Sequence, residues 1–185
     1  EGAVSPAAAL DYERCLELSL AEAHGAEMVS TLTSMWAYYT SRADLPQARL
    51  VSTALRGVID EGYKEWEPSN LAGFGMLDWF EGDFTGSISR LESAMAAMLG
   101  QDNSRMDAGE AWYVPTHPTV AIQIHLAIAR FMDGDTVGAA EQYAAALARA
   151  SELEFPSGPW SWSYSAWLGT WMDIEQHGWD SALAT

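Results

Sequence analysis

The sequence predicts an all-α protein, and three observations carry that prediction. Apolar residues recur at spacings of three and four, as in Met28, Leu32 and Met35, which is the period of one helical face. Short breaks such as Gly134-Asp135 separate these segments. No segment shows the sustained alternation or the hairpin turn that strands require.

Start and stop signals divide the chain into eight helices and the beginning of a ninth. A capping side chain or a proline opens most of these segments, and glycine or a polar turn closes them. The segment from 100 to 118 is polar and irregular, and it is longer than ordinary connections between helices, which have about 2–8 residues. The expected helices cover about residues 6–23, 26–42, 45–62, 71–80, 85–99, 118–132, 136–153, 160–177 and 179–183.

Composition restricts the classes of function. Of the 185 residues, 49% are hydrophobic, which indicates a folded chain with a sizeable core. The formal charge of −17 repels phosphate backbones and anionic lipids, so neither nucleic acid nor a membrane is an expected partner. A basic protein or peptide is the partner that such a surface attracts, although the same charge also serves solubility.

Compartment and processing follow from what the sequence lacks. Cys15 is the only cysteine, so an internal disulfide is impossible and a reducing compartment is indicated. No apolar run approaches the ~20 residues that span a bilayer, and we expect a cytoplasmic protein. The chain starts without Met or a signal pattern and stops within an expected helix, so it reads as part of a larger protein.

One helix pair is the clearest unit of the sequence. After Gly134-Asp135, residues Ala139, Tyr143 and Ala146 follow at spacings of four and three, which places small, large and small side chains on one helical face. Similar turns stand at Ala43-Asp44 and Gly82-Asp83, and the three aspartates are 39 and 52 residues apart. The chain therefore reads as imperfect copies of one helix pair.

These residues resemble the tetratricopeptide-repeat family, whose helix pairs stack into a superhelix and whose second helix carries the Ala139-Tyr143-Ala146 pattern. Phe74-Gly75 matches the first helix of the family, whereas Trp36 stands where the family has a small residue, and Ser87 and Leu91 replace its alanine and aromatic. The resemblance implies a single domain, 1–185, of about four antiparallel pairs. The repeats are expected at about 26–62, 68–100, 117–153 and 158–185, with helix 6–23 belonging to a preceding repeat.

The sequence pattern is similar to that of the repeat region of large bacterial regulators that carry ATPase, nucleotide cyclase or LuxR-type DNA-binding modules. The segments 61–66 and 117–120, each leading to a Gly-Asp turn, carry that likeness. The resemblance implies a non-enzymatic role in signalling or transcription regulation, by protein interaction or effector sensing. It transfers no catalytic residue, because neither the cyclase carboxylates nor a GxxxxGK[ST] phosphate loop is present.

Aromatic residues are the candidates for binding a partner or ligand. Trp160, Tyr164, Trp167 and Trp171 fall on one stripe of the eighth helix, and Trp162 lies off it. Repeat proteins use such residues either in the core or on a concave surface. We expect the stripe, with Trp167 and Trp171, in the core, and Trp162 is the tryptophan that we expect to be exposed. The candidate binding residues are Trp160, Trp162, Tyr164, Trp112, Tyr113 and Trp66.

Several alternatives remain open at this stage. The concave surface could receive a protein segment or a small-molecule effector, and an unpaired end helix could form a homodimer. An α/α-type hydrolase would use paired carboxylates between aromatics. The four scattered histidines form no ligand motif, so neither a metal nor a cofactor is expected. The carboxylates for the hydrolase alternative are Glu61, Glu65, Glu67, Asp78 and Glu81.

Overall fold

The chain is all-α, as the sequence predicts. A computed structural model describes residues 5–22, 25–99 and 116–177, and within these ranges it contains eight α-helices, one short 3₁₀ segment and no strand. The helices are α1 (Pro6–Glu22), α2 (Gly25–Ser41), α3 (Leu45–Asp60), α4 (Glu67–Phe80), α5 (Phe84–Leu99), α6 (Pro118–Met132), α7 (Thr136–Glu152) and α8 (Ser157–His177).

Most helix boundaries lie within two residues of those predicted, and the clearest difference is the start of α4. The sequence predicts a turn up to Asn70, but α4 begins at Glu67 and the 3₁₀ segment Lys64–Trp66 precedes it. Pro68 fits the first turn of a helix because no hydrogen bond is lost there. The expected short helix at 179–183 and most of the irregular segment lie outside the described residues.

Three helix pairs share one turn geometry. In each turn the N–H of the aspartate, Asp44, Asp83 or Asp135, donates to the carbonyl oxygen five residues earlier at 2.9 Å. Its carboxylate accepts from the backbone N–H three residues later, which caps the second helix. The residue before the aspartate is left-handed, with φ of +58° at Ala43, +85° at Gly82 and +93° at Gly134.

The second helices of these pairs, α3, α5 and α7, bury matching positions. The fourth, eleventh and fifteenth residues after each aspartate are at most 7% exposed. Ala139 and Ala146 are therefore packing positions, as the sequence indicates, and Tyr143 lies half-buried against Gly169 of α8. The matching residues are Ala48, Leu55, Ile59, Ser87, Ala94, Met98, Ala139, Ala146 and Ala150.

The core runs along the stack as three successive clusters. One joins α2 and α3 around Leu32 and Ile59, the next joins α4, α5 and α6 around Leu91, and the third joins α6, α7 and α8 around Ile128. Helices contact mainly their neighbours in sequence, and α6 also contacts α4 and α8. The first helix of each pair therefore lies in a row with the first helices of the following pairs.

No helix in the described ranges is both long enough and apolar enough to cross a membrane.

Candidate functional site

A cavity of about 380 Å³ lies on the face formed by the first helices of the pairs. Four helices, α2, α4, α6 and α8, contribute to its wall, although they are far apart in sequence. None of the described residues that line it is Asp, Glu, Lys or Arg. The lining consists of Trp36, Ala37, Thr40, Ser41, Met76, Phe80, Thr116, Ala121, His125 and Tyr164.

The side chain of Trp36 explains why there is space for the cavity between α2 and α4. It stands eight residues before its turn aspartate, and the corresponding residues of the next pairs are Gly75 and Ala127. A Cβ at Gly75 would lie 2.8 Å from Leu91 Cγ, so glycine allows α5 to approach α4 closely. Trp36 instead extends its indole towards α4, where a Cβ at Gly73 would lie 3.6 Å from the ring. The large side chain therefore holds α2 away from α4.

A second, much smaller cavity of about 30 Å³ is also lined by the Trp36 indole. Trp36 and Met76 line both cavities. The small cavity is wide enough for about one water molecule, whereas the large one is within the range of ligand pockets, about 300–1,000 Å³. We therefore take the larger cavity as the candidate binding site.

The polar side of the cavity is a chain of hydrogen bonds through His125. Its Nδ1 lies 2.8 Å from the carbonyl oxygen of Ala121, and its Nε2 lies 3.4 Å from the hydroxyl of Tyr164. Because a carbonyl only accepts, Nδ1 carries the proton, and Nε2 accepts from Tyr164. Burial lowers the pKa of His125 below 6.5 and raises the pKa of Tyr164 to about 12. Both groups are therefore neutral near pH 7.

On α2, two buried polar atoms have no hydrogen-bond partner among the described residues. They are Trp36 Nε1 and Thr40 Oγ1, one helical turn apart. A buried donor without a partner costs roughly 1–3 kcal/mol. Such atoms beside a cavity are typical of places where a bound molecule supplies the missing contact.

Three of the five carboxylates of the hydrolase alternative are engaged by arginines. Asp78 is buried, and it pairs with Arg49 at 2.9 Å through one oxygen and with Arg90 through the other. Arg49 also binds Glu81 at 2.6 Å. Glu67 pairs with Arg56 at 2.9 Å, while Glu61 and Glu65 are exposed. None of these five acids lines the cavity.

The tryptophans of α8 are exposed. Trp160, Trp162, Trp167 and Trp171 are 54%, 43%, 69% and 38% exposed. Trp162 is exposed as expected, whereas the expectation that Trp167 and Trp171 are core residues is wrong. The buried side of α8 carries small residues instead, Ser161, Ser165 and Gly169. A Cβ at Gly169 would overlap the ring of Tyr143, so no larger side chain fits at that position, and the four tryptophans lie on the outer face.

The other predicted binding residues lie in different places. Tyr164 lines the cavity. Trp66 is half-buried and packs against the cluster of the first pair, and Trp112 and Tyr113 lie outside the described residues. Sequence reasoning missed His125 and Thr40 as cavity residues. The available signal was Trp36, whose size departs from the repeat pattern.

Within the described ranges, no group of three or more potential ligands among His, Cys, Asp and Glu could hold a metal ion. The fold and the cavity together define a class of protein, an all-α chain of helix pairs with a partly open site whose described lining is uncharged. Comparisons of the sequence and the structure with protein-family models, curated proteins and solved structures found no match.

Proposed function

We propose that the chain is a tetratricopeptide-like repeat domain that binds an effector in the cavity and acts as the sensor of a larger regulatory protein, without catalysing a reaction. The three turns with a shared hydrogen-bond pattern and the matching buried positions support the repeat assignment. The single observation that carries the function is the cavity itself, because four helices from successive pairs build it.

Its position suits a sensor. A ligand that contacts α2, α4, α6 and α8 at once makes contacts that depend on how all the described pairs are positioned relative to one another. Binding therefore favours one curvature of the stack over others, and that preference is what a regulatory protein can transmit. The arginines on Asp78 and Glu81 leave these acids less suited to general acid–base work, which favours binding over hydrolysis.

The dimensions favour a small molecule over a protein segment. About 380 Å³ accommodates a small organic ligand, whereas stable protein partners bury roughly 800 Å² on each side. A neutral environment-sensitive dye, N-phenyl-1-naphthylamine, tests whether the cavity is accessible. We expect its fluorescence to rise saturably with the wild-type chain.

Two alanine-to-tryptophan variants locate the dye. Ala37→Trp adds an indole to the cavity wall and should reduce dye binding at least tenfold, whereas Ala140→Trp adds the same side chain to an exposed position of α7. Circular dichroism verifies that both variants stay helical. Equal dye binding by the two variants would show that the cavity is not the site, and the proposed function would fall.

The exposed tryptophans favour a second candidate function, self-association through α8. Trp160 and Trp167 expose more than half of their surface, and monomeric proteins rarely display large apolar patches. We expect light scattering to show a molar mass that rises with protein concentration, and Trp167→Glu to keep the mass at that of a monomer. A wild-type mass that stays monomeric throughout would remove this candidate.

A further inference from the structure

We infer that the cavity takes a neutral aromatic ligand that carries an N–H or O–H donor, and that the oxygen of Tyr164 accepts the hydrogen bond from it. This inference rests on the proposed function, because it describes the ligand of the same site. It follows from the charge, the apolar wall and the hydrogen-bonding capacity of the lining residues.

The charge of the ligand follows from the lining. No formal charge faces the cavity, and a charged ligand would lose its hydration there without gaining an ionic partner. Asp78 of α4 and Glu81, which follows this helix, are already bound by Arg49. The charge of −17 on the chain further disfavours an anion. A neutral ligand avoids both the uncompensated loss of hydration and the repulsion by the negative chain.

An aromatic ligand matches the apolar wall. Trp36 and Phe80 present aromatic rings, and Met76 between them on α4 adds a polarisable thioether. Flat rings gain both buried area and favourable edge or stacking contacts from such neighbours. A flexible polar ligand would gain neither.

The need for a donor follows from the hydrogen-bond chain at His125. Its Nδ1 proton goes to the Ala121 carbonyl, and the hydroxyl proton of Tyr164 goes to Nε2. Both protons are thus committed, and the oxygen of Tyr164 keeps a lone pair that faces no described partner. The Tyr164 oxygen therefore accepts, and a ligand satisfies it by donating, while the unpartnered Trp36 Nε1 can donate to the π face of an aromatic ligand.

Four indoles test the inference with one ring system. Calorimetric titration of the whole chain should show that indole binds about tenfold more tightly than indole-3-acetate, an anion, and tryptamine, a cation. It should also bind about fivefold to tenfold more tightly than 1-methylindole, which lacks the N–H, since one neutral hydrogen bond contributes about 1 kcal/mol. Tighter binding of tryptamine or indole-3-acetate than of indole would overturn the inference.

Tyr164→Phe identifies the acceptor. The variant should lose the preference for indole over 1-methylindole while binding 1-methylindole as the wild type does, and the ratio of the two affinities cancels any general change in packing. A preference that persists in Tyr164→Phe would overturn the assignment of the Tyr164 oxygen. If the dye binds in the cavity and none of the indoles binds, the ligand class is wrong while the proposed function stands.

Discussion

Gly57 and Gly75 both lie within helices, but their surroundings predict opposite effects of the same substitution. A Cβ at Gly57 meets nothing within 4 Å, whereas a Cβ at Gly75 lies 2.8 Å from Leu91 Cγ and 3.0 Å from its Cδ2. Alanine is favoured over glycine in a helix by about 1 kcal/mol. We expect Gly57→Ala to raise the free energy of unfolding by about that amount.

At Gly75 the same gain is outweighed by overpacking against a fully buried side chain, which costs about 1–3 kcal/mol. Gly75→Ala should therefore lower the free energy of unfolding or, at the smallest cost, leave it unchanged. Urea unfolding of the two variants measures both values. If Gly75→Ala stabilises the chain as much as Gly57→Ala, the close approach of α4 and α5 is not as the structure has it.

His125 predicts a pH dependence of stability. Its pKa is lowered in the folded chain, mainly by desolvation, while the hydrogen bond to Ala121 acts in the opposite direction. Below about pH 6.5 the unfolded chain binds a proton that the folded chain does not. Stability should therefore fall as the pH drops below about 6.5, by at most about 1.4 kcal/mol per pH unit for this one group.

His125→Gln isolates this contribution from those of the other titrating groups. Tyr164, the titratable group that contacts His125, stays protonated throughout this range because its pKa is about 12. The wild type should lose more stability than the variant between pH 7 and pH 5, as measured by urea unfolding. Parallel pH profiles for the two chains would contradict the neutral, buried state of His125.

At the level of single residues, the sequence pattern was sufficient to predict a residue's environment where that residue packs against a neighbouring helix. Phe74-Gly75 matches the first helix of the repeat pattern, and Leu91 fills the space beside the glycine. The placement of Trp36 beside His125 could not be predicted, since these residues are 89 positions apart and meet only through the cavity. The large side chain of Trp36 at its repeat position was visible in the sequence. The cavity beside it depends also on α4, α6 and α8.

At the level of elements, the turn aspartates allow a graded test of helix capping. The carboxylate of Asp83 lies 2.9 Å from the N–H of Gly86, whereas that of Asp44 lies 3.4 Å from the N–H of Gln47. Removing a well-formed cap costs about 1 kcal/mol. We expect Asp83→Ala to lose about that amount and Asp44→Ala clearly less, as measured by thermal or urea unfolding. Equal losses would show that cap geometry does not set the difference.

Helix positions were predictable because capping residues, prolines and left-handed turn residues act within a few positions of one another. The orientation of α8 was not. Aromatic residues of this helix recur at helical spacing, and that pattern favoured a buried aromatic stripe. Large residues occur on several sides of the helix, however, so the pattern did not identify its buried side. Its small residues Ser161, Ser165 and Gly169 face α6 and α7 instead, because Tyr143 and the backbone at His117 approach closely there.

At the scale of the whole molecule, the described helices are most sparsely packed at one junction, between α3 and α4. Contacts between α3 and α4 are fewer than those within each pair or between α5 and α6. Arg49 ties this junction together, since it reaches from α3 to Asp78 and Glu81 of α4. In stacks where each unit contacts only its neighbours, such a junction sets where the chain opens locally.

Arg49→Met should therefore release the first pair without loosening the last. We expect amide hydrogen exchange in α2 and α3 to become about tenfold faster, equivalent to about 1.4 kcal/mol of opening free energy, while α6 and α7 keep their rates. Arg14→Met is the matched control, because the ion pair of Arg14 with Glu17 lies within α1. Exchange that accelerates equally in every helix of Arg49→Met would mean that the chain opens as one cooperative unit, and a ligand in the cavity could not then act on the junction alone.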